Sequence, residues 1–240
     1  RATAGGILFQ LPGTLNGTLP NSPLNPANQE NVILDATGNI QIVGAIGNNA
    51  QIHNLTILRG ANITFNDTIS ISGDLIIERG AQITFERDVR IGGNLIIGDA
   101  ADLSRIGSVT FTPGARLAVQ GDIEIYSQGA VNFRNDVGQI FEPDNVTVVS
   151  GDLINFEGRF DADQVQLTAG SNHDIYFNQQ VRVRDMHARA GNLIRVDSTI
   201  SVGTGNLTLT TNRIELLGGA GSIRNQTGTS GVSTLTIEPF

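Results

Sequence analysis

The sequence predicts an all-β chain: a single-stranded parallel β-helix, or β-solenoid, over residues 31–240, preceded by an irregular extended arm over residues 1–30. Three observations carry this expectation. Residues 55–75 are followed twenty places on by a near copy, residues 75–95, with eleven of the twenty-one aligned pairs identical. The matched positions are alternate apolar residues, an Arg-Gly-Ala corner and a closing Gly, and a period near twenty written in short strands is that of a solenoid. Apolar-polar-apolar triplets recur from Val32 onward, which is the alternation of a strand with one buried face. The composition agrees: 29 Gly, no Trp, and abundant Ile, Val, Thr and Asn suit many short strands joined by tight corners.

Taken in order, the first thirty residues stand apart. Pro12, Pro20, Pro23 and Pro26 interrupt them, and proline both removes a ladder donor and disfavours helix before it. Within this arm the stretch Gly5–Leu11 is apolar enough to form a strand against something, a neighbouring molecule being the expected partner. From residue 31 the triplets Val32-Ile33-Leu34, Ile40-Gln41-Ile42, Leu55-Thr56-Ile57, Ile63-Thr64-Phe65 and Ile69-Ser70-Ile71 follow, then Leu75-Ile76-Ile77, Leu95-Ile96-Ile97, Val109-Thr110-Phe111 and Leu117-Ala118-Val119. The outer two residues of each face inward and the middle one outward. Ile63 should therefore lie over Ile83, and Phe65 over Phe85, about 4.8 Å apart. Arg59 over Arg79 is a like-charge pair that Glu78 is expected to interleave. A Gly-Asp or Gly-Asn phrase at 73, 93, 121, 151, 191 and 205 reads as a recurring corner whose unequal intervals place loops near 99–107 and 138–144, where Asp99, Asp102, Gly138 and Pro143 supply breakers.

Bulk properties exclude several classes. The net charge is −8 and no basic cluster is evident, so nucleic acid is not an expected partner. There is no Cys, which removes disulfides and thiolate metal sites. All fifteen basic residues are Arg, so no Lys-Asn isopeptide bond can form within the chain. No apolar run approaches the roughly twenty residues of a membrane-spanning helix. The chain opens at Arg1 with no signal-like segment, which reads as a processed product or part of something longer.

The phrases Gly205-Asn-Leu-Thr-Leu-Thr-Thr-Asn-Arg-Ile-Glu-Leu216, Gly218-Gly-Ala-Gly-Ser-Ile and Ser233-Thr-Leu-Thr-Ile-Glu-Pro-Phe240 resemble the repeats of giant bacterial exoproteins of the filamentous haemagglutinin type. The resemblance runs from about residue 31 to the end. It implies right-handed coils and export to the cell surface, with a role as adhesin, stalk or filament. The Asn-Pro signatures of that family's secretion domain are not intact, Asn25-Pro26 standing alone, so the resemblance implies a body segment.

Candidate chemistry is sparse. Asp161 and Asp163 share a strand face, as clustered carboxylates do in β-helix enzymes acting on polysaccharides. A glycosidase also needs a partner carboxylate about 5–10 Å away across a sugar site, and the expected reading is an exposed polar face. His173-Asp174 and Asp185-Met186-His187 could meet on adjacent turns, yet a metal needs three or four convergent ligands. Gly218-Gly-Ala-Gly-Ser resembles a calcium-binding nonapeptide but carries Ser222 where that motif needs Asp. Accordingly no catalytic, cofactor or metal residue is assigned and no enzyme is expected. Asn-x-Thr occurs at Asn16, Asn54, Asn62, Asn66, Asn145, Asn206 and Asn225.

The ends of a solenoid are open strand edges, which proteins normally cap or charge. No amphipathic helix caps either end, and the last strand closes on apolar residues. The expected function is therefore a non-catalytic extracellular subunit or segment of a surface filament, joined end to end by strand addition to a second copy or to adjoining repeats. The expected anchors are Ile7, Leu8, Phe9 and Leu11 at one edge and Leu235, Ile237 and Phe240 at the other. A carbohydrate-active protein using Asp161 and Asp163 with nearby Arg, or a module binding a host or cell-surface glycan, is the alternative.

Overall fold

A computed structural model describes residues 31–47, 52–225 and 234–240, together with the backbone of residues 2–4 and 7–9. These residues form a β-solenoid of about nine turns in which successive coils pair in parallel. Each coil has three faces. On the first, Leu55, Leu75, Leu95, Ile123, Val146, Val165, Met186, Leu207 and Leu235 are consecutive partners. On the second, Ile63, Ile83, Val109, Val131, Ile154 and Ile175 follow one another in the same way. The third runs through the strands Ile69–Ile71, Val89–Ile91 and Leu117–Val119, then a single bridge at Val137, then Phe160, Val181 and Ile200.

The expected stacking of like on like holds. Ile63 pairs with Ile83 and Phe65 with Phe85, and the Phe65 and Phe85 ring centroids are 4.9 Å apart at an interplanar angle of 2°. The column continues through Phe111, Phe133, Phe156 and Phe177 at 4.6, 5.1, 4.7 and 5.5 Å. All six rings are fully buried. Burial of each contributes about 1.5–3 kcal/mol, with each ring in contact adding about 0.5–1.5 kcal/mol. Phe160, on the third face, closes against Phe156 at 4.4 Å, so the ring column reaches across the interior at that level.

Loops fall where the breaker residues place them. The pairing step from Leu55 to Leu75 to Leu95 is twenty residues, but from Leu95 to Ile123 it is twenty-eight. Six of the extra eight lie between Ile97 and Val109, where a short 3-10 turn, Leu103–Arg105, is capped by Asp102 accepting the Ser104 N–H. Gly98 opens that loop at φ +84°, and a Cβ there would lie 2.2 Å from the Tyr126 carbonyl oxygen. Gly138 opens the loop at 138–144 in the same conformation, φ +80°, where only glycine avoids the left-handed penalty.

The Gly-Asx phrases do not belong to one corner. Gly73, Gly93 and Gly121 stack before the first face, each donating its N–H to the carbonyl of the residue one coil back. Gly151 and Gly191 instead lie at the corner after that face, with Gly170 between them in the stack, while Gly205 returns to the earlier corner. The interval of 30 therefore crossed a face rather than measuring a coil, and the interval of 40 spans two coils, as expected. Behind the first glycine stack runs a side-chain ladder in which acids alternate with amides. Asn54 Oδ1 accepts the Asp74 N–H at 2.7 Å, Asp74 Oδ1 that of Asn94 at 2.7 Å, Asn94 Oδ1 that of Asp122 at 2.8 Å, and Asp122 Oδ1 that of Asn145 at 3.1 Å. Each half-buried side chain thus satisfies a corner amide of the next coil, and no carboxylate sits directly on another.

Candidate assembly interface and polar sites

At the carboxy-terminal edge, Thr234–Glu238 pairs on one side with Asn206–Thr210, and no described strand lies on its other side. Leu235 extends the column of Leu207, and Ile237 that of Leu209. Leu207 and Leu209 are buried, whereas Leu235 and Ile237 are 49 % and 50 % exposed. Leu217, at the end of the coil below, is 58 % exposed. Phe240 is 41 % exposed, but its ring turns back under the Arg189 guanidinium, 4.6 Å from the ring centroid. That contact anchors Phe240 within its own molecule.

At the other end, Ala2–Ala4 pairs in parallel with Leu34–Ala36, and Ile7–Phe9 with Ile40–Ile42. The backbone of Ile7, Leu8 and Phe9 is therefore laid on the chain's own second face, in register with the Ile40 and Phe65 columns. Leu11 and the prolines of the arm lie outside the described residues.

The polar candidates are brought together with counter-charges rather than with one another. Asp163 receives two hydrogen bonds from Arg184, at 2.6 and 2.9 Å. Asp161 accepts from Gln139 at 2.6 Å, with the Arg159 guanidinium 4.0 Å away. Glu142, in the loop beside them, was missed by sequence reasoning because only the fold brings it near. Burial first, then the charges of Asp161 and Asp163, hold its carboxyl above the ordinary value. His173 and His187 do not meet: His173 Nδ1 lies 2.8 Å from Asp152 at a corner, while His187 stands on the first face opposite Gln166. Asp174 instead takes hydrogen bonds from Tyr176 and Asn192, and the first of these holds the Tyr176 phenol above its usual range. Gly219–Gly221 forms a 3-10 turn whose following Ser222 bonds back to the Gly219 carbonyl. Among the described residues, no group of three or more His, Asp or Glu is placed to hold a metal ion.

Charge at the corners is paired as well. Arg59 pairs at 2.6 Å with Asp35, a side chain only 5 % exposed, rather than through the expected Glu78, because a register shift sets Asp35 opposite Arg59. Arg116 clasps Asp88 through two hydrogen bonds, at 3.2 and 2.6 Å, and these hold the Asp88 carboxyl below its ordinary value. Of the Asn-x-Thr sites, Asn54 and Asn145 have their side chains committed to the corner ladder. Among the described residues no helix is long and apolar enough to cross a membrane. No protein-family model, no curated protein and no solved structure matches this chain.

Proposed function

We propose that this chain is a non-catalytic structural element of the extracellular cell surface, a β-helical segment of a filament or adhesin stalk that accepts a further strand at its carboxy-terminal edge. The observation that supports this reading is the exposure of Leu235 and Ile237 in register with two buried columns. An edge strand carrying aligned apolar residues is a template for another strand, and a second copy or adjoining repeats would bury it by head-to-tail addition. The pairing of Asp163 with Arg184 and of Asp161 with Gln139 and Arg159 favours a structural role for these carboxylates over a catalytic one. The test is negative-stain electron microscopy and sedimentation of the purified chain. Threads or concentration-dependent oligomers are expected, and Leu235→Arg with Ile237→Arg should abolish them while leaving the thermal transition within a few degrees. Monomeric rods at all concentrations, or assembly that is indifferent to the double substitution, would defeat the proposal. A chain lacking residues 1–30 tests the amino-terminal anchors Ile7, Leu8, Phe9 and Leu11 in the same assay.

A further inference from the structure

The corner ladder bonds to itself as far as Asn145 and then stops. The next residue in that position is Gln164, whose N–H goes to the Asp144 carbonyl rather than to the Asn145 side chain. Above it comes Asp185. Where the ladder breaks, the first face carries a groove of about 340 Å³ lined by Asn145, Thr147, Gln164, Gln166, Asp185 and His187, a volume within the range of small-ligand sites. Its walls are two outward columns. One is Asn145, Gln164 and Asp185, and the other is Thr147, Gln166 and His187. The columns stand two residues apart along the strand, about 7 Å, and each rises about 4.8 Å per coil. The floor between them is Val146 and Val165, both buried and turned inward.

We infer that this groove binds an uncharged glycan strand lying along the solenoid axis. The side chains of Thr147, Gln164, Gln166, Asp185 and His187 make no hydrogen bond to any described residue, whereas Asn54, Asp74, Asn94 and Asp122, which occupy the Gln164 and Asp185 column in the four coils below, are engaged by the ladder. Amides and hydroxyls both donate and accept, and a carboxylate accepts from two neighbouring hydroxyls at once. That set matches the vicinal hydroxyls of a sugar ring, with successive rings meeting successive coils. Asp185 and the net charge of −8 disfavour sulfated or phosphorylated polymers. A protein strand would add at an open edge, since the backbone groups of this face are already paired. The inference rests on the groove alone and stands whether or not the chain assembles.

The test is isothermal titration calorimetry of the full chain with cellohexaose, xylohexaose and maltohexaose. Saturable binding of at least one is expected, weakened tenfold or more by Gln164→Ala and by Asp185→Ala, and unchanged by Thr84→Ala on the second face. Circular dichroism confirms the fold of each variant, and Gln164→Ala, at an exposed position, decides if Asp185→Ala fails to fold. Absence of saturable heat with all three sugars overturns the inference. So does binding undiminished in the folded groove variants, or binding confined to a sulfated oligosaccharide of similar length.

Discussion

Replacing Asn94 by Asp isolates the electrostatics of the corner ladder. The new side chain keeps its Oδ1, so the hydrogen bond from the Asp122 N–H survives, and the change is one of charge alone. In the native corner Asp74 and Asp122 are separated by two coil rises, about 9.6 Å, and physiological salt screens much of their repulsion. The substitution sets three carboxylates on consecutive coils about 4.8 Å apart. Each adjacent pair then repels by about 0.9 kcal/mol in water and about 3.5 kcal/mol at an effective dielectric constant of 20. Because these side chains are half-buried and can rotate toward solvent, the two new pairs together should cost about 2–3 kcal/mol at pH 7. The sign of the pH dependence follows from linkage. Like charges raise the folded-state pKa of the new carboxyl above its unfolded value of about 3.9, so the penalty is complete above the raised value and disappears as pH falls below the unfolded one. Urea midpoints of wild type and variant should therefore differ clearly at pH 7 and converge near pH 3.5. Asn94→Ala, which leaves the Asp122 N–H without its acceptor, should show a deficit of about 1 kcal/mol that does not change with pH. An Asn94→Asp variant as stable as wild type at pH 7 would refute the contiguous ladder.

Other outcomes are equally specific. Phe111→Ala, in the middle of the ring column, should lose about 3–5 kcal/mol, read as a fall in the thermal transition far larger than that of Thr110→Ala on the outer side of the same strand. Gly138→Ala forces a side chain into a left-handed conformation against the Asp161 carbonyl oxygen, 1.9 Å from the ideal Cβ, and should cost more than about 1 kcal/mol by the same melt. The Asp88 carboxyl should titrate below the ordinary aspartate range by NMR, its stabilising contribution present above the unfolded value and fading as pH falls through the folded one. Arg116→Gln should return that titration toward the ordinary range with less than about 1 kcal/mol of stability lost.

The columns were legible because a parallel stack places like on like, and the repeat at 55–95 writes that rule twice in succession. Phe65 over Phe85 needed only the period and the alternation of strand faces. The loops near 99–107 and 138–144 were legible from the breakers Asp99, Asp102, Gly138 and Pro143, but only the first coincides with a Gly-Asx interval that measures a lengthened coil, from Leu95 to Ile123. The corners were harder. Gly121 and Gly151 carry the same phrase but stand at opposite ends of one face, and phrase matching has no means of telling one bend from another. The Asp35–Arg59 pair was hidden for a related reason, since a register shift of one residue decides which acid faces Arg59. The groove was hidden too, because Asn145, Gln164 and Asp185 share no motif and become neighbours only when three coils of different length are superposed. The apolar edge at Leu235 and Ile237 could be anticipated from the alternation of the last strand, whereas the retreat of Phe240 beneath Arg189 depends on a contact fifty-one residues away.

The parallel coil is also a store of length. Each turn packs about twenty residues into an axial rise of about 4.8 Å, although the same segment fully drawn out would span about 70 Å. The hydrogen bonds between coils lie along the axis, so a pull on the two termini loads the outermost coil first and detaches it from its neighbour before the next is strained. Under tension the molecule should lengthen in separate steps of about 65 Å, one turn at a time, and the steps that uncover a buried Phe should require the greatest force.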